Sequence, residues 1–204
     1  MSFRLLAAPT LALVLAGTLV ACGSDDASSG DATSAAATAE GSTGADEAMT
    51  LNDADIEFAQ GMIAHHEQAV EMAEIGLDPT VGAGPEVTDL ATRIQAAQEP
   101  EIELMTAWLT AAGESVTMDV SDGHDMSSME GMMSVEQMDA LMIATGAEFD
   151  QMWLEMMIAH HEGAISQSET VKADGSNPDV LLLADQIIVA QQSEITEMQA
   201  LLGN

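Results

Sequence analysis

One hexapeptide occurs twice in this chain. Met62-Ile63-Ala64-His65-His66-Glu67 returns unchanged as Met157-Ile158-Ala159-His160-His161-Glu162, 95 residues later. The match extends outward, since Asp55, Phe58 and Ala69 stand where Asp150, Trp153 and Ala164 stand in the second copy. A second segment, Ile94-Gln95-Ala96-Ala97-Gln98-Glu99-Pro100-Glu101-Ile102, aligns with Ile187-Ile188-Val189-Ala190-Gln191-Gln192-Ser193-Glu194-Ile195 at an offset of 93, and Met105 and Met198 keep that offset. The chain therefore holds an internal duplication whose copies differ by two residues in an intervening loop. The fold must be built from two similar units.

Each unit reads as two helices. In the first, Asn52 or Asp53 can cap a helix in which Phe58, Met62, Ala69 and Met72 recur at helical spacing. That helix stops near Gly76, before Asp78-Pro79. A second helix is expected from about Pro85 to Ala112, with a kink near 96–99 or a split into two shorter helices because Pro100 lies inside it. The second unit opens at Ser134, where Ser134-Val135-Glu136-Gln137 has capping-box spacing. Its first helix runs to about Val171, with a possible break near Gly146. Its last helix starts at Pro178, capped by Ser176 or Asn177, and ends near Leu202. No alternating β-branched run suggests a strand. Short loops make sequential helices antiparallel neighbours. The expected fold is all-α, a ferritin-like antiparallel four-helix bundle made of two repeated hairpins.

The two ends of the chain differ in composition. Arg4 precedes an apolar run whose end reads Leu19-Val20-Ala21-Cys22. A basic start, an apolar stretch and small residues describe an export signal. The Cys resembles the lipobox of bacterial lipoproteins, which implies cleavage before Cys22 and lipid on it; an uncleaved anchor, or an ordinary signal with a coincidental Cys, are the alternatives. The expected organisation is a signal peptide over about 1–21, a tether of small and polar residues over about 22–49, and one domain over about 50–204. Within that domain lie repeat 1 (about 52–112), a Met- and His-rich segment (about 113–134) and repeat 2 (about 135–204). The expected location is the outer face of the cytoplasmic membrane or the cell envelope.

The chain carries 35 acidic and 3 basic residues, with one Cys. Such charge repels nucleic-acid backbones, and one Cys cannot close an internal disulfide. Cations are the natural partners of this surface.

The duplicated histidines carry the most chemistry. On a helical wheel with Met62 at zero, His65 falls at about −60° and His66 at about +40°, both flanking the apolar stripe. Met157, His160 and His161 repeat that arrangement. Two facing helices could gather four imidazoles and several thioethers. Imidazole suits copper, zinc, nickel and iron, and thioether favours Cu(I). Glu67 and Glu162 either orient a histidine or face water. The competing reading is that each His packs at a helix interface with a single hydrogen bond.

A second cluster lies between the repeats, where Met118, Met126, Met129, Met132, Met133 and Met138 surround His124. The segment is polar and Gly-rich, so its methionines are not expected to be simple packing. It suits capture of Cu(I) or Ag(I), ahead of transfer to the bundle; the alternative is a Met-rich contact surface. Other chemistries lack their residues. Neither His pair has a Glu three residues upstream, as a di-iron bundle requires. His-Glu-x-x-His, Cys-x-x-Cys, Gly-x-Gly-x-x-Gly, Gly-x-Ser-x-Gly and the calcium loop are absent.

The pattern Phe/Trp-x-x-x-Met-Ile-x-His-His-x-x-Ala resembles the bacterial domain-of-unknown-function family 305. Phe58, Met62, Ile63, His65, His66 and Ala69 carry it first, and Trp153, Met157, Ile158, His160, His161 and Ala164 carry it again. Gly131-Met132-Met133 and Gly146-Ala147-Glu148-Phe149-Asp150 add to the likeness. The resemblance implies an exported, four-helical, ferritin-like domain, and for part of the family copper binding and resistance. It implicates Met62, His65, His66, Met157, His160 and His161. The second copy departs at Gln167 and Ser168, where the first has Met72 and Ala73, so two sites need not be equal.

The leading expectation is a lipid-anchored, non-enzymatic protein that binds Cu(I), with Cu(II) or Ag(I) as alternatives. Its expected metal residues are His65, His66, His160, His161, Met62 and Met157 in the bundle, and His124, Met126, Met129, Met132 and Met133 between the repeats. Cys22 would carry lipid. A homo-oligomer or a metal-delivery partner is compatible with this. The rivals are an envelope protein-interaction module and a redox enzyme such as a ferroxidase.

Overall fold

A computed structural model describes residues 49–118 and 129–203. Cys22, His124 and Met126 lie outside the described residues. Five helices follow in order: α1 (Asp53–Leu77), α2 (Pro85–Ala112), α3 (Val135–Ile143), α4 (Gly146–Asp174) and α5 (Pro178–Leu202). No strand occurs among the described residues.

Local chemistry sets most boundaries. Asn52 caps α1 in a reciprocal box with Asp55. Ser134 and Gln137 form the same box at α3, and Asn177 caps α5 ahead of Pro178. α2 is one helix through Pro100, not two. Pro100 and Ala96 are both exposed, so the missing backbone hydrogen bond falls on the solvent side of the helix, where water can replace it. The segment from Ser134 divides into α3 and α4. Ala144 and Thr145 are extended, Gly146 takes a left-handed φ of 59°, and its N–H donates to the Val81 carbonyl at 2.7 Å. The result is a four-helix bundle with a short additional helix.

The helices pack as two hairpins, α1/α2 and α4/α5, joined mainly through α1 and α4. Those two central helices are antiparallel. Asp55, at the start of α1, accepts hydrogen bonds from the Ser176 and Asn177 amides beyond the end of α4. Trp153, early in α4, donates its indole N–H to the Met72 carbonyl late in α1 at 2.9 Å. A reciprocal clasp links the repeats. Asp150, the counterpart of Asp55, accepts from the Gly84 amide at 2.9 Å. Gly84 caps α2 and Asn177 caps α5, so the matched Asp of each repeat holds the start of the other repeat's second helix.

The interior has two apolar clusters. One contains Met72, Leu90, Ile94, Phe149, Trp153, Met157 and Met198. The other contains Phe58, Met62, Met105, Leu109, Leu183 and Ile187. Along each of the four long helices a buried polar stretch separates them: His65 and His66, Gln98, His160 and His161, and Gln191. No described helix is long and apolar enough to cross a membrane.

Candidate metal centre

The polar layer contains all four motif histidines, each with 0% exposure. Both residues of each pair are inside because they straddle the helix stripe on which Met62 and Met157 lie, and those methionines are fully buried too. The antiparallel crossing of α1 and α4 brings the copies together. The His65 and His160 rings meet at 3.7 Å between centroids, tilted by 45°, and His160 and His161 lie 6.5 Å apart.

The histidines have two roles. His66 Nε2 lies 2.7 Å from a Glu101 carboxylate oxygen, and His161 Nε2 lies 2.7 Å from Glu194. A carboxylate accepts, so each Nε2 carries the hydrogen and donates it. In the neutral ring, Nδ1 is then a bare lone pair, and neither Nδ1 has a partner. A carboxylate that fixes a histidine tautomer in this way is the usual support of a metal-ligating imidazole. Among the described residues, nothing makes a hydrogen bond of good geometry to either ring nitrogen of His65 or His160, although the Glu130 backbone lies near His65 and the His65 backbone near His160. Burial pushes His65 down to about 3, aided by the nearby His66 and His161 and opposed by the backbone of Glu130. Burial also holds His160 well below the ordinary imidazole range, with His65, His161 and His66 adding to the effect. Both rings are thus neutral near pH 7, as metal binding requires.

Among the described residues, six ring nitrogens are buried without a hydrogen bond of good geometry, and the buried Gln98 and Gln191 each leave a side-chain oxygen unpaired. Each such group costs about 1–3 kcal/mol when nothing satisfies it. Among the described residues no three His, Cys, Asp or Glu side chains converge into a ready-made metal cage. The available donors are imidazoles, with thioethers and amides around them.

The second segment is less uniform than its sequence suggests. Met133 is 7% exposed and belongs to an apolar cluster, so it is core, not a free capture group. Gln68 holds it there, donating to the Met133 carbonyl at 2.9 Å and accepting from its amide at 2.7 Å. Beside it, Gly131 and Gly163 bring the strap onto α4. A Cβ on Gly163 would clash with the Glu130 carbonyl at 2.1 Å. Met129 and Met132 are partly buried. Glu67 and Glu162 are exposed, so the carboxylates on the histidines are Glu101 and Glu194. Both occupy matched places in the duplicated second helices. A polar pair repeated next to an apolar stripe was the available signal.

The family model described as "Domain of unknown function (DUF305)" matches residues 55–202. Solved structures agree. A DUF305 fragment from Deinococcus radiodurans is 30% identical with a TM-score of 0.66, over 74% of this chain and 97% of that one. A presumed secreted DUF305 protein from Streptomyces coelicolor is 29% identical with a TM-score of 0.68, over 74% and 92%. CopM in its Cu(II)-bound form is 32% identical with a TM-score of 0.59, over 72% and 93%, and CopM is also solved with Cu(I) and with Ag. A comparison with curated proteins gives no match. This chain belongs to the DUF305 family.

Proposed function

We propose that this DUF305 protein is an exported, non-enzymatic binder of a soft cation, foremost Cu(I), with Ag(I) and Cu(II) as further cargo. The observation that carries the reading is the buried layer of four imidazoles with six unpartnered nitrogens. Buried polar groups left unpaired call for an ion or water, and neutral imidazole is a good copper ligand. The likeness to CopM, solved with Cu(I), Cu(II) and Ag, supports the choice of metal. In this reading His65 and His160 offer ring nitrogens to the cation. His66 and His161 offer Nδ1, oriented by Glu101 and Glu194. Met62 and Met157 supply soft donors from adjoining turns. Export rests on the leader sequence and on the likeness to the presumed secreted Streptomyces protein. Cys22 would anchor the chain by lipid, leaving the acidic domain to buffer or hand over metal near the membrane.

The test is anaerobic titration of residues 23–204 with Cu(I) against a competing chelator, beside a variant with His65, His66, His160 and His161 changed to Ala. Tight stoichiometric binding lost in the variant is the expected result. Binding too weak to compete, or unchanged in the variant, sinks the proposal. A second reading, an envelope interaction module, draws on the exposed Val135, Met142 and Ile143 of α3. It predicts no metal stoichiometry and a protein partner captured through that helix.

A further inference from the structure

The two ends of the α1–α4 crossing are related by the duplication but are filled differently. At one end Trp153, Met156 and Met72 occupy the interior, and the Trp153 indole is bonded to the Met72 carbonyl. At the other end the corresponding residues are Phe58, Gly61 and Gln167. A cavity of about 300 Å³ opens there, lined by Phe58, Gly61, Met118, Met129, Glu130 and Gln167.

Gly61 lies one helical turn before His65. A Cβ built on Gly61 would stand 3.4 Å from Met129 Cε, 3.9 Å from Met118 Sδ and 3.3 Å from Gln167 Oε1. Two thioether side chains and an amide therefore converge on one point beside the histidine layer. The Gln167 Nε2 is buried and has no partner. Glu130 lines the cavity, its carboxylate accepts from the Ser166 hydroxyl at 2.8 Å, and its backbone approaches His65. The exposed Glu57 also lines the cavity.

We propose that this cavity is the entrance through which a soft monovalent cation reaches the histidine layer, with Met118 and Met129 as its first ligands. The inference rests on the metal-binding reading and adds a route to it. Carboxylates at the mouth raise the local concentration of cations, and thioethers select the soft ones among them. The route is one-sided, because Met156 stands where Gly61 leaves space and Met72 where Gln167 stands. It gives Met129 a different task from Met133, which is locked in the core.

The experiment is stopped-flow uptake of Cu(I), supplied anaerobically from its acetonitrile complex, by the full chain. Gly61→Leu fills the cavity; the nearest atoms to its Cβ are tips of flexible side chains, which can move aside. Uptake at least tenfold slower, with the final stoichiometry and affinity retained, is the expected result. Met118→Leu/Met129→Leu keeps the shape and removes the sulfur, and should slow uptake several-fold. Wild-type uptake rates in the two folded variants would overturn the entrance while leaving the histidine layer standing. A wild-type chain that takes up no Cu(I) overturns both. If Gly61→Leu does not fold, the thioether variant decides alone.

Discussion

The centre of the bundle obeys the duplication and its two ends do not. In the layer, His65 pairs with its own counterpart His160, and Glu101 does for His66 what Glu194 does for His161, at the same 2.7 Å. Outside it, Trp153 donates to the Met72 carbonyl, while Phe58, lacking an N–H, lines a cavity together with Gln167. The Asp clasps differ as well. Asp55 accepts from Asn52, Ser176 and Asn177, whereas Asp150 accepts from Gly84. The difference separates two requirements. In the metal-binding reading, a cation shared between copies needs matched donors, whereas stability and the proposed access need only enough packing at one end and an opening at the other.

Breaking the symmetric centre should have the largest effect. His65→Ala/His160→Ala is expected to weaken Cu(I) binding at least 100-fold in chelator competition. His65→Leu/His160→Leu should lose binding equally yet raise the apo melting temperature, because apolar groups replace unpaired buried nitrogens. A lowered melting temperature in that variant would mean the imidazoles are satisfied in the apo core.

Proton competition comes next. The His65 and His160 pKa values are depressed in the folded state, so the unfolded chain binds more protons between about pH 6.5 and the folded values. Their contribution is therefore fully present above about pH 6.5 and is lost as pH falls toward about 3 for His65. Apo stability should fall below pH 6.5 by up to ~1.4 kcal/mol per pH unit for each ring, measured by urea unfolding between pH 7 and 5. A flat profile there would contradict the burial of neutral imidazole.

Glu101→Gln and Glu194→Gln sharpen the comparison within the layer. Each should cost about 10–100-fold in affinity, by analogy with other supports of metal-bound histidine. The two losses should agree within a few-fold, and a large disparity would show that one copy dominates. The smallest effect tests the ends. Asp55→Ala should cost about 2 kcal/mol and Asp150→Ala about 1 kcal/mol, since Asp55 serves as both a helix cap and an interhelix acceptor. Equal melting temperatures would remove this asymmetry.

Much of this was legible in the residues. The repeat fixes two hairpins, a cap at Asn52 or Asp53 and the capping box at Ser134 mark helix starts, and the wheel places both His of each pair inward. The partners of the histidines were harder. Glu67 sits at about 140° from Met62 on the wheel, which already turns it from the stripe. Glu101 is 35 residues from His66 on another helix, and its contact depends on hairpin register that periodicity does not encode. Met133 looked exposed because its neighbours are polar and small. The clasp from Gln68 and the close approach of Gly131 to Gly163 turn that strap inward, and both are tertiary contacts. The cavity at Gly61 follows from three substitutions between the copies that become neighbours only after folding.

The most direct measurement is ¹⁵N NMR of the histidine rings during Ag(I) titration of residues 23–204. A cation in the layer should shift ring nitrogens of His65 and His160 together at one equivalent, with nitrogen–silver coupling on each. Shifts confined to His124, or four motif histidines unchanged at one equivalent, would contradict metal binding in the layer.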